Sequence, residues 1–282
     1  EFNEEMCLFW HERHKELGAK GWLYPTFPKE YGGGGLTAEH ETILEEEFQL
    51  YRAPTGSFTA DFVLPSLLVW GTEEQKQKFL APILKGAKNA WQKFTEPKSG
   101  ADLASYQSTA VRDGDEWILN GSNVFCSTMG GVTPDWIYGP MLTDPDAPRH
   151  RNLGYFMIPC PTPGLEIRRM NLLNGDDQCF VFLDNVRVTT DHLIGGDHDG
   201  WQVANTSLEK EHGGNGRAFP TDTPINNLVE YMQQRRKNNK SGARETINQQ
   251  MTASAYIESQ VNSLLEKRTY WMYQNGLQMT WE

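Results

Sequence analysis

The sequence predicts an α+β protein in which helical segments flank a compact antiparallel β domain. Residues up to about 90 show helical spacing and capping residues. From about 91 to 190, short β-rich runs are broken by Gly, Pro, Asn and Asp, and the helical pattern returns from about 198. These two changes predict an N-terminal helical domain at 1–90, a middle β domain at 91–195 and a C-terminal helical domain at 196–282.

The helical segments carry local signals. Apolar residues recur at partial helical spacing between Glu4 and Leu17, and a second helix is predicted from Thr37. Thr72 is a predicted N-cap because acidic Glu73 and Glu74 follow in the first turn. The stretch from 245 to 275 has no helix breaker and predicts one long helix.

The middle segment contains four runs rich in β-forming residues. Tryptophan, tyrosine, phenylalanine, isoleucine and valine favour a pleated, half-buried surface. The runs are WIL at 117–119, WIY at 136–138, YFMI at 155–158 and CFVFL at 179–183.

Composition limits the functional classes. A net charge of −11 disfavours non-specific binding to nucleic acid. No apolar run has the length of a membrane span and no signal peptide is visible, so a cytoplasmic or mitochondrial-matrix location is expected. The four cysteines form no C-x-x-C pair, which favours reduced thiols, and no metal site is predicted, although His11 and His14 lie three apart.

Two polar stretches predict a binding site. The string FTEPKSGADL at 94–103 breaks a strand at Glu-Pro and enters a loop of small residues, which brings backbone N–H groups close to a flat polar ligand. The strings GWQVA at 200–204 and LEKEH at 208–212 open a helix and place Glu211 beside a Gly-rich turn.

Both stretches, with several others in the same order, resemble the acyl-CoA dehydrogenase family. The two patterns are similar to the family's aromatic-[ST]-E-P-x-[AS]-G-S-D and G-W-x-x-A-x-x-x-L-x-x-E-R. The further matching strings are GW at 21–22, PKEYGG at 28–33, GTEEQK at 71–76, FLAP at 79–82, DGDEWILNG at 113–121, TDPDAP at 143–148, PGLE at 163–166 and FLDNVRV at 182–188.

The resemblance implies the family's architecture: N-terminal helices, a middle antiparallel β-barrel or sheet domain and a C-terminal helical bundle. Only about two helices of that four-helix bundle are found, so a truncated bundle is expected. Its uncovered apolar face predicts a homo- or hetero-oligomer, a dimer or tetramer.

The resemblance also implies an FAD site. Phe94 and Thr95 are assigned to the pyrimidine edge of the flavin, Phe125 to the ring face and Ser127 to a hydrogen bond at N5. Arg236 is assigned to the cofactor's pyrophosphate. The alternative is that the aromatic and hydroxyl residues are ordinary strand residues.

Several residues depart from the family pattern. Ala101 replaces a serine, Asn123 a lysine, and His212 the arginine after the catalytic glutamate. Ala101, His212 and Gly213 are assigned to the substrate side of the site. The basic residues at 149–151 either contact a CoA phosphate or form a solvated hairpin tip, and we favour the hairpin tip.

The reaction implied by the resemblance is FAD-dependent α,β-dehydrogenation of an acyl-CoA thioester. A base removes the α-proton, and hydride leaves Cβ for flavin N5. One branch of the family has its base near the C-terminus, beyond this chain, and another has it at the glutamate of L-x-x-E-R. Glu211 matches the second position, with Glu209 as competitor. A solvated glutamate at a helix start is the alternative interpretation.

Two other functions remain open at this point. One is a flavin oxidase or monooxygenase on the same fold, and the other is a non-catalytic partner subunit of a heteromeric dehydrogenase. The expected partners are the acyl-CoA substrate and an electron-transfer flavoprotein as electron acceptor.

Overall fold

The structure is a computed structural model, and it describes residues 4–51, 53, 60–127, 133–173, 177–211, 222–237, 245–275 and 277. Two compact units are present. One comprises Glu1–Leu36 and Pro54–Gly214, and the other comprises Thr37–Ala53 and Asn215–Glu282. The three predicted domain boundaries stay a prediction.

Helices precede and follow a β-rich middle, as the sequence predicts. In the first unit the helices are α1 (Glu4–Ala19), α3 (Val63–Trp70), α4 (Glu73–Gln75), α5 (Ala81–Leu84) and α6 (Gly200–Glu211). The second unit contains α2 (Ala38–Leu50), α7 (Thr223–Lys237) and α8 (Glu245–Gln274). Among the described residues, no helix combines the length and apolarity that a membrane span requires.

The described part of the β domain forms one eight-stranded sheet. Its strands are β1 (Ala90–Gln92), β2 (Thr109–Asp113), β3 (Glu116–Ser127), β4 (Trp136–Leu142), β5 (Leu153–Pro159), β6 (Leu165–Asn171), β7 (Asp177–Thr189) and β8 (Leu193–Ile194). The strand order is β6-β7-β3-β2-β4-β5-β8, and β1 also pairs with β4. Most pairs are antiparallel as predicted, but β4 pairs in parallel with β1 and β2.

The predicted cap at Thr72 is confirmed. The Thr72 hydroxyl accepts from the Gln75 backbone N–H at 3.2 Å, and the Gln75 side-chain oxygen accepts from the Thr72 N–H at 2.9 Å. This reciprocal capping box satisfies two backbone donors that the helix start leaves unpaired. The Gln75 amide also donates to the Asp191 and Leu193 carbonyls, so the cap fixes the helix against the end of the β domain.

The loop that follows Glu96 packs closely on β3. The buried Glu96 carboxylate accepts from the backbone N–H groups of Gln107 and Ser108, each at 2.7 Å, and from the Ser108 hydroxyl. Gly121 of β3 has φ 152°, and a Cβ there would lie 2.0 Å from the Ser108 hydroxyl oxygen. Only glycine fits this close approach, which seats the loop beside the strand.

Candidate active site

Glu211 is the last residue of α6, and not a residue of a helix start. The helix begins at Gly200 as expected, but it continues for twelve residues. The alternative interpretation, a glutamate favoured because it lies at a helix start, therefore does not fit the position of Glu211, although its side chain is exposed.

A buried hydroxyl network fixes α6 against its neighbours. The Ser207 hydroxyl lies 2.9 Å from the Tyr155 hydroxyl of β5 and 2.8 Å from the Ser66 hydroxyl of α3. Ser66 also donates to the Val203 carbonyl at 2.8 Å. Ser66, Ser207 and Tyr155 have no exposed surface, so these bonds are shielded from water. The position of α6 is thus set from two sides.

Helical geometry separates Glu211 from Glu209. Residues three or four apart share a helix face, so Glu211 follows the buried Ser207 and the half-buried Leu208 on the face toward the β domain. Glu209 lies two residues from Ser207, which places it on a different face. The register therefore favours Glu211 as the group directed at the β domain, although both side chains are exposed.

The partner of Glu211 is Gln92, which sequence reasoning missed. The Gln92 amide nitrogen donates to Glu211 Oε2 at 2.8 Å, and Tyr138 Oη lies 3.4 Å from Gln92 Oε1. Burial raises the pKa of the Tyr138 phenol, and the neighbouring Tyr155 and the carboxylates of Asp61 and Glu211 add to this effect. Burial also raises the pKa of Tyr155, while its bond to Ser207 acts in the opposite direction. Both phenols stay neutral beside the carboxylate.

The segment that follows β1 carries Phe94 and Thr95, and it is hydrogen-bonded to β3, which carries Phe125 and Ser127. Two residues after Gln92, the Phe94 ring packs edge-on against Tyr138 and Tyr155, with centroid distances of 6.4 and 6.1 Å. The Thr95 carbonyl accepts from the Val124 N–H at 2.9 Å and from the Asn123 amide at 3.1 Å. The structure therefore places Thr95 beside the part of β3 that leads to Phe125.

Phe125 has the geometry expected of a ligand-contacting ring. Its φ of 57° is left-handed, which is uncommon for a bulky residue, and its side chain is 55% exposed. The pairing of β3 with β7 shifts register between Asn123 and Cys126, so a bulge turns this residue outward. Ser127, two residues further along β3, is also exposed, and contact of either side chain with a flavin stays a prediction.

The remaining assigned residues are Ala101, Arg236, His212 and Gly213. Ala101 is exposed in the loop after Glu96, and Arg236 is exposed in the last turn of α7, in the second unit. His212 and Gly213 lie outside the described residues. The roles given to these four residues, and to the other residues assigned to the site, stay predictions.

The basic residues at 149–151 lie exposed in the loop between β4 and β5, as a hairpin tip would. Arg149 pairs with Asp102, and Arg151 lies 3.6 Å from Asp199. The His150 ring stacks on Trp201 at 4.3 Å. These contacts connect the hairpin tip to the loop that carries Ala101 and to the first turn of α6.

Comparison with known proteins gives two family matches. The model for the acyl-CoA dehydrogenase N-terminal domain matches residues 1–87, and the model for the middle domain matches residues 92–186. The acyl-CoA dehydrogenase IpdE1 of Mycobacterium tuberculosis is 33% identical over 227 residues, which is 78% of this chain and 57% of that protein. This chain spans about half the length of the curated relatives that it matches.

Solved structures agree with the family matches. A structure described as Tcur3481-Tcur3483 steroid ACAD is 30% identical with a TM-score of 0.81, covering 96% of this chain and 69% of that one. The ChsE4-ChsE5 complex from Mycobacterium tuberculosis is 27% identical with a TM-score of 0.79, covering 95% of this chain and 70% of that one. The order of elements and the matched domains together show that this chain belongs to the acyl-CoA dehydrogenase family.

Proposed function

We propose that this protein takes part in FAD-dependent α,β-dehydrogenation of an acyl-CoA thioester, with Glu211 as the base. The contact that supports this proposal is the 2.8 Å hydrogen bond between Gln92 and Glu211. It brings a carboxylate from the end of α6 to the strand that continues into Phe94 and Thr95. In this proposal the base and the predicted cofactor edge lie close together, as proton and hydride removal from adjacent carbons requires.

Each residue has a defined task in this proposal. Thr95 and Ser127 bind the polar edge of the ring, and Phe125 covers its face. Bound flavin supplies the acceptor for the hydride that leaves Cβ. Glu211 takes the α-proton on its carboxylate, and Gln92 orients that carboxylate by donating to one oxygen, which leaves the other oxygen for the substrate.

We also propose that the protein works in an oligomer with a second copy or a related subunit, and passes electrons to an electron-transfer flavoprotein. The similar ChsE4-ChsE5 complex supports a related subunit as partner. The similar steroid ACAD makes steroid-type acyl-CoA a reasonable substrate to test beside straight and branched acyl groups.

The deciding experiment is anaerobic titration of the flavin-loaded protein with that acyl-CoA panel. Loss of the visible absorption of oxidised flavin with one of the thioesters supports the proposal. Retention of oxidised flavin with every thioester contradicts it and favours a non-catalytic partner subunit. Bleaching followed by rapid reoxidation in air with formation of hydrogen peroxide favours an oxidase.

Removing the predicted flavin hydroxyls should weaken cofactor binding. We expect Thr95→Val to lose about 1–3 kcal/mol of FAD binding energy, since one polar contact is left unsatisfied, and Ser127→Ala to add to the loss. Equilibrium dialysis against FAD measures the effect. Thr189→Val, at the far end of β7, is the matched control. Unchanged FAD affinity in the double variant would show that these hydroxyls do not bind the ring.

Replacing Gln92 should slow the reaction and leave the cofactor bound. In Gln92→Leu the Glu211 carboxylate loses its orienting donor, and we expect flavin reduction to slow by about 10- to 100-fold, the usual effect of misplacing a reacting group. Stopped-flow absorbance at saturating acyl-CoA measures the rate. Gln77→Leu removes a similar exposed amide that bonds Glu73 and should keep the parent rate. A parent rate in Gln92→Leu would remove Gln92 from the mechanism.

A further inference from the structure

We propose that Lys93 is a positioning residue for the flavin site: its buried ammonium fixes a polar chain that joins the two strands assigned to the flavin. The proposal rests on the flavin site proposed above. No motif in the sequence indicates Lys93, and this lysine hydrogen-bonds neither Glu211 nor the hydroxyls assigned to the flavin ring.

The Lys93 side chain is fully buried in the β domain, with no exposed surface. Its Nζ donates to Tyr106 Oη at 3.1 Å, to the Pro140 carbonyl at 3.0 Å and to Met141 Sδ at 3.0 Å. An ammonium has three donors, so each has a partner. Gly139 of β4 allows this close packing, because at its φ of 157° a Cβ would lie 2.5 Å from the Lys93 carbonyl oxygen.

Tyr106 connects this ammonium to the predicted flavin edge. The Tyr106 hydroxyl donates to the Lys93 carbonyl at 3.0 Å and accepts from the Asn123 amide nitrogen at 2.6 Å. The same amide nitrogen donates to the Thr95 carbonyl at 3.1 Å. The ammonium thereby determines how the phenol is oriented, and the phenol determines how Asn123 holds Thr95. Phe125 lies two residues after Asn123 in β3.

A charge in this position is costly for stability alone. Removing an ion from water costs free energy that neutral hydrogen-bond partners repay only in part, and Lys93 has no carboxylate among its bonded partners. Burial lowers the pKa of Lys93 to about 8, while the nearby Cys126 and Glu96 act in the opposite direction. An apolar side chain of similar length would fill the same space. A costly buried cation is the kind of feature that proteins retain at functional sites.

The test compares Lys93→Met with the parent, and with Lys88→Met as the control for an exposed lysine. We expect the FAD dissociation constant of Lys93→Met at pH 7 to rise at least about tenfold, the effect of losing one well-oriented polar contact. The melting temperature of the flavin-free protein should change by only a few degrees, since the cost of the buried charge disappears with its bonds. A purely structural role predicts the opposite pattern: a lower melting temperature with unchanged FAD affinity in the folded fraction.

The pH dependence of FAD binding separates charge from shape. The groups around the ammonium that titrate or carry charge are Tyr106, Glu96 and Cys126. As pH rises from about 7 to 9.5, Lys93 loses its proton, whereas an ordinary lysine with a pKa of about 10.4 stays charged. The FAD dissociation constant of the parent and of Lys88→Met should therefore rise over this range more steeply than that of Lys93→Met.

If Lys93→Met fails to fold, Tyr106→Phe tests the same series of hydrogen bonds, because it keeps the ring in the core and removes only the hydroxyl oxygen. A similar loss of FAD affinity supports the proposal, and unchanged affinity overturns it. Equal FAD affinity of Lys93→Met and the parent at pH 7, or parallel pH dependence, also overturns it. If acyl-CoA reduces the flavin of the parent but Lys93→Met keeps the parent's FAD affinity, only this inference is refuted. If Lys93→Met weakens FAD binding but acyl-CoA never reduces the flavin of the parent, only the proposed reaction is refuted.

Discussion

Glu211→Gln should bind flavin and acyl-CoA but reduce the flavin about 10²–10⁴-fold more slowly than the parent, the usual contribution of general-base catalysis. Glutamine keeps the size of the side chain and its ability to accept from Gln92. It cannot take a proton from the α-carbon. Single-turnover reduction with acyl-CoA under anaerobic conditions, followed by absorbance, measures the rate.

Glu209→Gln is the matched control for this experiment. It makes the same chemical change two residues earlier on α6, on a face that does not follow the line of Ser207 and Leu208. We expect it to reduce flavin at nearly the parent rate. If Glu211→Gln keeps the parent rate, the base lies on another residue or on a partner chain.

Glu96→Ala should give the largest loss of stability among the changes considered. The Glu96 carboxylate is 6% exposed and accepts two backbone N–H groups at 2.7 Å as well as the Ser108 hydroxyl. Alanine leaves the N–H and the hydroxyl of the buried Ser108 without their acceptor, together with the N–H of the exposed Gln107. At about 1–3 kcal/mol for each of the two unsatisfied donors of Ser108, the free energy of unfolding should fall by about 2–6 kcal/mol.

Urea unfolding of the flavin-free protein measures this change. Glu166→Ala is the control, because the exposed Glu166 pairs with the exposed Arg168 and its loss should leave the midpoint nearly unchanged. Glu96→Gln should fall between the two, since it keeps one acceptor oxygen. A Glu96→Ala midpoint equal to that of the control would show that the loop finds other partners for its N–H groups.

Local signals in the sequence predicted the local structure well. The Thr72 cap depends on residues three positions apart, and the β-forming runs at 117–119 and 155–158 lie inside β3 and β5. The helix start at Gly200 also follows from adjacent residues.

The features that position the candidate site depend on contacts between distant parts of the chain. Gln92 and Glu211 are 119 residues apart, and no periodicity relates them. The sequence around β1 gives no indication that Lys93, the residue after this strand, is buried, because lysine is ordinarily a surface residue and its partner Tyr106 follows a loop. The left-handed backbone of Phe125 results from a register shift between β3 and β7, which depends on both strands. Family resemblance identified Phe125, but only the fold explains its exposure.

The buried hydroxyl network that holds α6 limits how far this helix can move. Because Tyr155, Ser207 and Ser66 tie the helix to a strand and to a second helix, the backbone carrying Glu211 cannot slide without breaking several shielded bonds together. For the proposed reaction, we therefore expect that adaptation to another acyl group exchanges side chains around Glu211 and leaves the position of α6 unchanged.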